Sequence, residues 1–295
     1  NRALSGHGGM LYLGSNTTSR LHATAGHEMY IYANWANLIS GNGGALYANN
    51  SGYFDVYGQV NFERNRAANG GAIYVSNGSR VWLDDYFNIR PQLWDNRADS
   101  GSGGAIYASN SPLVRCDGAT LGRDAEGNQA SVDGGALYLS DSTLNAENCI
   151  FQDNRAANHG GAIAAYNNTT LNIDAAYPLL SLMTERAAEP ELLEGSTILA
   201  TPCDPRTEQC SAFFSNVADN NTDDTGDGGA IYTNDSTLNM AHTYLHRNTA
   251  YRGGAIYQTG ATAAAEVSNS LIYSNTVTTS GAGIHTGGGA FTLHH

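Results

Sequence analysis

The sequence predicts an all-β protein, a right-handed parallel β-helix of about nine or ten coils with three short strands per coil. Three observations predict it. A motif reading Gly-Gly-Ala, then Ile or Leu, then usually Tyr recurs with variations nine times, at Gly8, Gly43, Gly70, Gly103, Gly134, Gly160, Gly228, Gly253 and Gly281. The copies lie 25 to 35 residues apart, except for one gap of 68 between Gly160 and Gly228. A unit of that length cannot bury its apolar face alone, so neighbouring copies must stack. The 3.6-residue apolar period that helical repeats of similar length need is absent. Parallel connections are right-handed in nearly all cases, and at roughly 4.8 Å per stacked strand the helix would be on the order of 45 Å long.

The first strand of each coil follows the glycine pair. Its leading position is always aliphatic: Leu11, Leu46, Ile73, Ile106, Leu137, Ile163, Ile231, Ile256 or Ile284. Alternation sends these residues to the core and sends Tyr12, Tyr47, Tyr74, Tyr107, Tyr138, Tyr232 and Tyr257 to the opposite, outer face. A second strand reads like Ser142-Thr143-Leu144-Asn145-Ala146, echoed by Thr169–Ile173 and Ser236–Met240. The third carries an aromatic or aliphatic residue, two variable residues and Asn, as in Phe62-Glu63-Arg64-Asn65, Phe151-Gln152-Asp153-Asn154 and Leu245-His246-Arg247-Asn248. The glycine pair fits a corner needing positive φ or close backbone approach. The recurrent Asn suits a turn, tolerates left-handed backbone and is able to stack as a ladder.

Composition narrows function. Net charge is −13, charged residues make up 14%, and all 14 basic residues are arginines. Without clustered cations, nucleic acid and anionic membrane surfaces are poor partners. No apolar run approaches the roughly 20 residues of a membrane span. A glycan or a protein surface remains as ligand.

The chain reads as a single domain, 1–295, with a loop insertion at about 175–211. That stretch holds Pro178, Pro190, Pro202 and Pro205 and a potential short helix near Leu179–Ala188. A degenerate coil around Gly195-Ser196-Thr197-Ile198 is the other reading. Four cysteines allow three pairings. Cys203 with Cys210 would clip the insertion. Cys116 and Cys149 follow their glycine pairs by 13 and 15 residues, so they would stack one rung apart within disulfide range. Both bridges suit an extracellular, oxidising setting.

Several candidate sites compete with plainer readings. The row Tyr47, Tyr74, Tyr107, Tyr138, Tyr232 and Tyr257 is either a ligand platform or a stack that stiffens the sheet. Asp219, Asp223, Asp224 and Asp227 are oxygen ligands suited to Ca²⁺, or a solvated acidic turn without EF-hand spacing. Carbohydrate-cleaving enzymes use paired carboxylates, but Asp84 and Asp85 are adjacent on a strand and point to opposite faces. No catalytic residue is assigned. Seven Asn-x-Ser/Thr sequons, at Asn16, Asn49, Asn77, Asn167, Asn168, Asn220 and Asn234, are expected by chance in so Asn-rich a chain.

The two motifs together resemble the repeats of chlamydial polymorphic outer-membrane proteins and related bacterial β-helix surface proteins. The resemblance covers nearly the whole chain outside about 175–211. It implies a right-handed β-helix displayed outside the cell and acting in adhesion. Apart from the Ca²⁺ option at the acidic turn, no cofactor is expected. Neither terminal coil carries a polar or helical cap, so a head-to-tail filament through the end coils is an alternative. A polysaccharide-active enzyme is a further one.

Overall fold

The computed structural model describes residues 1–24, 26–85, 89–111, 113–174, 210–219, 223 and 225–294. It is a parallel β-solenoid with three long sheets, and no helix occurs among the described residues. The first sheet holds nine strands, from Leu11–Leu13 to Ile284–Thr286, and the second nine, from Thr18–His22 to Ala290–His294. The third holds eight, from Met29–Tyr32 to Leu271–Tyr273. Among the described residues the three sheets thus hold nine, nine and eight strands, and the coil count differs slightly from the sequence expectation.

Register follows the repeat. Leu46, Ile73, Ile106, Leu137, Ile163, Ile231 and Ile256 occupy one column of the first sheet. All seven are buried, as are Phe54, Phe62, Phe151 and Phe213 from the other two sheets. A one-residue slip would turn every aliphatic side chain outward, so burial fixes the register. Across the 68-residue gap the flanking rungs pair directly: Ile163–Tyr166 with Ile231–Asn234, and Thr170–Asp174 with Thr237–Ala241. The helix expected at Leu179–Ala188 and Cys203 lie outside the described residues.

A fourth, shorter sheet was not expected. Three Asn-Arg-Ala segments and one Asn-Gln-Ala pair as two-residue strands at Arg66–Ala67, Arg97–Ala98, Gln129–Ala130 and Arg155–Ala156. Two residues are too few to display an alternation, so no strand period was readable there.

The two glycines of each pair serve different needs. All nine leading glycines have φ between +60° and +71°. The second has ordinary φ but no room: a Cβ on Gly104 would fall inside the van der Waals radius of the Gly135 carbonyl oxygen in the next rung, and Gly44, Gly71 and Gly135 repeat the clash.

Behind this corner runs the asparagine ladder. The Nδ2 of Asn34, Asn65, Asn96, Asn128, Asn154, Asn216 and Asn248 each donates to the Oδ1 of the next Asn, ending at Asn275, at 2.9–3.0 Å. The same Oδ1 accepts the backbone N–H of the preceding Asn, and Nδ2 donates its second hydrogen to a strand carbonyl such as Phe62 O or Leu93 O. Every amide group in the interior ladder is thereby satisfied, as burial demands. The left-handed residue of the turn is not the Asn, as its tolerance suggested, but the residue before it: Arg64, Asp95, Asp153, Ser215, Arg247 and Ser274 have φ of 52–56°. That kink turns the Asn side chain inward, where the ladder needs it.

Cys116 and Cys149 are joined in a disulfide with Cα atoms 6.2 Å apart, and both are buried. They do not occupy one column: Cys116 registers with Ala146, and Cys149 lies in the turn beyond that strand. The pairing of Cys203 with Cys210 lies outside the described residues.

Gly104→Ala is expected to cost roughly 3 kcal/mol or to abolish folding, because the added methyl meets backbone rather than a yielding side chain. Gly14→Ala, with no atom within 4 Å of the added Cβ, is the matched control and should be near neutral. Chemical denaturation of both variants checks the contrast.

Candidate functional site

The outward tyrosines form a continuous column. Ring centroids are 5.2 Å apart for Tyr47–Tyr74, 4.9 Å for Tyr74–Tyr107 and 4.7 Å for Tyr107–Tyr138, with planes within 13° of parallel. Tyr232 and Tyr257 continue at 5.5 Å, Tyr12 stacks on Tyr47 at one end, and His285 stacks on Tyr257 at the other. In the sixth rung Ala164 stands in the tyrosine register, and Tyr166, two residues on, supplies the ring, 5.4 Å from both Tyr138 and Tyr232. Its hydroxyl donates to Asp133 Oδ2 at 3.0 Å. Sequence reading missed Tyr166 because it sits off the motif; only its position one strand step beyond a missing Tyr pointed to it.

Stacking decides what this row offers. From Tyr47 to Tyr107 each ring's faces are taken by the rings above and below, so edges and hydroxyls meet solvent, while Tyr166 is tilted by 31° and 44° to its neighbours. Tyr47, Tyr232 and Tyr257 are buried, and Tyr74, Tyr107 and Tyr138 only partly exposed. Burial, and then the neighbouring phenol, pushes the Tyr107 hydroxyl up to about 12. A sugar ring needs an open aromatic face, which the interior of this column does not supply.

A second polar column runs through the residue before each glycine pair. Asn42 N–H donates to His7 Nδ1, Ser102 N–H to Asn69 Oδ1, Asp133 N–H to Ser102 Oγ, His159 N–H to Asp133 Oδ1 and Asp227 N–H to His159 Nδ1. Side-chain acceptors thus satisfy the corner's backbone donors rung after rung. His159 also stacks on Tyr232 at 4.4 Å.

The acidic turn is divided by the same logic. Asp227 is buried in a bidentate pair with Arg252, at 2.8 and 2.7 Å. Asp219 accepts from Asp223 N–H, and Asp223 Oδ1 from Thr225 N–H. Asp224 lies outside the described residues. Among the described residues no group of three His, Cys, Asp or Glu side chains is arranged to hold a metal ion.

On the second sheet, Asp84, Asp117, Glu147 and Asp174 register in one outward column. Burial, followed by the facing carboxylates, raises the pKa of Asp84 and Glu147, while Arg115, 2.8 Å from Asp117 and 3.6 Å from Asp84, opposes the rise. Asp85, the other acid of the sequence pair, is also raised, chiefly by burial.

The third sheet's outer face differs from both. Its first three strands present Tyr30, Asn61 and Gln92 in one row and Tyr32, Glu63 and Trp94 in the next. Tyr30 and Tyr32 are open to solvent. Further along, His246 is stacked between Phe214 and Tyr273, at 5.4 and 5.1 Å.

A cavity of about 210 Å³ lined by Leu4, Ala36, Leu38 and Ile39 lies at the first coil. That is below the roughly 300–1,000 Å³ usual for small-molecule sites.

Three segments of the chain, residues 59–76, 148–166 and 211–234, match the model of the Chlamydia polymorphic membrane protein repeat. Each spans the same structural unit: a third-sheet strand, its ladder Asn, the corner, the glycine pair and the first-sheet strand. Neither a curated protein nor a solved structure matches the chain. The polymorphic membrane protein repeat and the solenoid together support a surface-exposed protein. Among the described residues no helix is long and apolar enough to cross a membrane.

Tyr107→Ala removes two stacked contacts and should cost roughly 2–4 kcal/mol, since each aromatic pair is worth about 0.5–1.5 kcal/mol beyond its burial. Tyr107→Phe keeps the stack and should stay within about 1 kcal/mol of the parent in the same thermal melts.

His246 makes a second prediction. Its Nε2 has no hydrogen-bond partner, and burial, with Arg247 adding to it, lowers its pKa. A lowered folded pKa means that the unfolded chain takes up the proton first. Stability should therefore fall as pH drops below about 6.5, by at most about 1.4 kcal/mol per pH unit, and level off once the folded histidine is protonated. His246→Phe should flatten that segment of the stability profile between pH 7 and 5, measured by urea denaturation.

Proposed function

We propose that this chain is a non-enzymatic, surface-displayed β-solenoid that acts in adhesion. The observation that carries this reading is the coincidence of the three polymorphic membrane protein repeat matches with the solenoid's structural unit. The architecture supports it. A stack whose buried asparagine ladder is paired rung by rung is a stiff rod, and its long lateral faces suit contact with a partner better than enclosure of a substrate. The carboxylates nearest one another on the second sheet are tied to Arg115 or repelled by their neighbours, which gives no pair poised for acid–base work.

Beads coated with the full chain should adhere saturably to cell monolayers and be displaced by free chain. Antibody against it should label intact source cells without permeabilisation. Non-saturable adherence equal to that of beads coated with albumin would overturn the adhesive role. Release of reducing ends from a polysaccharide panel would restore the enzymatic alternative.

A further inference from the structure

We infer that the outer face of the third sheet, over its first three strands, is a saccharide-binding site that takes a neutral, hydroxyl-rich glycan. This rests on the adhesive reading and gives it a ligand class and a place. Strands Met29–Tyr32, Val60–Glu63 and Gln92–Trp94 lie side by side in parallel, so their outward residues form a two-by-three grid. Tyr30 and Tyr32 are 56% and 50% exposed, the most open aromatic pair on this sheet's outer face. Asn61 and Trp94, one and two rungs further on, are 4% and 7% exposed. Both carry a buried polar atom without a hydrogen-bond partner: the Asn61 Oδ1 acceptor and the Trp94 Nε1–H donor.

An unpaired buried polar atom is costly, and native folds keep few of them. The ladder from Asn34 to Asn275 shows how this solenoid pairs a buried amide, through both its oxygen and its nitrogen. Two unpaired buried atoms of opposite sense, on the face that carries the exposed Tyr30 and Tyr32, point to a ligand that both donates and accepts. A sugar hydroxyl does both. The aromatic rings supply the apolar platform that the C–H face of a pyranose needs.

The charges select against an anionic glycan. Arg64 is committed: its Nε pairs with Asp95 at 2.9 Å, its Nη1 lies 3.3 Å from Glu63 and donates to the Tyr32 hydroxyl at 3.1 Å. Its guanidinium sits 5.8 Å from the centroid of Tyr32. Glu63, buried beside it, has a raised pKa, chiefly through burial. Trp94 is covered by the exposed Arg123, whose guanidinium lies 5.1 Å from the ring centroid; displacing that one side chain opens the indole. A peptide adding as a strand would pair with the edge of Met29–Tyr32, whereas this face offers side chains only.

The test is calorimetric titration of the folded full chain with cellohexaose, mannohexaose and chitohexaose, with polygalacturonate as the anionic comparison. At least one neutral hexasaccharide should bind. Tyr32→Ala and Asn61→Leu should each weaken that binding about tenfold or more. Tyr32→Phe should retain it, and so should Tyr107→Phe in the stacked column. Melting curves confirm that each variant is folded; should Tyr32→Ala not fold, Asn61→Leu alone decides. Neutral glycan binding untouched by both weakening variants would overturn the site. Binding of polygalacturonate alone, or of no saccharide while coated beads still adhere, would overturn the ligand class and leave adhesion standing. Loss of bead adherence together with all saccharide binding would overturn both readings.

Discussion

Close approach of backbone to backbone at the double-glycine corner is the constraint on which the structure depends. There the second glycine of one rung lies against the carbonyl of the next with no space for a methyl, while the first adopts a left-handed turn. With that corner closed, successive strands come to the parallel-sheet spacing of about 4.8 Å. Core columns, the asparagine ladder and the tyrosine stack all follow from the same rise. Parallel aromatic rings 4.7–5.5 Å apart are what that spacing imposes on a tyrosine repeated once per turn.

A one-dimensional stack also restricts composition. A residue type repeated at one position faces its own copies, so repeated charge is self-repelling while repeated Asn, Ser or Tyr is self-complementary. The column Asp84, Asp117, Glu147 and Asp174 illustrates the cost, because burial and facing like charges raise the pKa of Asp84 and Glu147 within it. Charged residues at 14% of the chain fit that restriction. Where charge does enter the stack it is answered by an opposite charge in a neighbouring rung, as Asp227 by Arg252 or Asp55 by Arg20.

The lateral faces consequently divide by what stacking consumes. On the first sheet the repeat is regular, ring faces satisfy one another, and little recognition chemistry is left. On the third sheet the outward residues change from rung to rung, from Tyr32 to Glu63 to Trp94, so no self-complementary column forms. There the exposed Tyr30 and Tyr32 share a face with the unpaired atoms of Asn61 and Trp94. A rigid rod places such a patch at a fixed position without a pocket.

The sequence by itself determined the solenoid. The glycine pairs, the aliphatic residue after them and the Phe-x-x-Asn turn are local signals, and each has one physical reading at a repeat of 25–35 residues. It also placed Tyr47, Tyr74, Tyr107 and Tyr138 on one outer row, because period two is a property of any strand. Only the tertiary structure decided what that row became. Whether rings lie flat to solvent or face to face depends on the distance between rungs, and that distance is set by contacts between segments far apart in the chain. For the same reason Tyr166 filling the place of Ala164, the two-residue corner strands, the acceptor role of His7 and His159, and the offset between Cys116 and Cys149 could not be read from spacing. Each is a relation between neighbouring rungs, and a linear sequence records only the order within one.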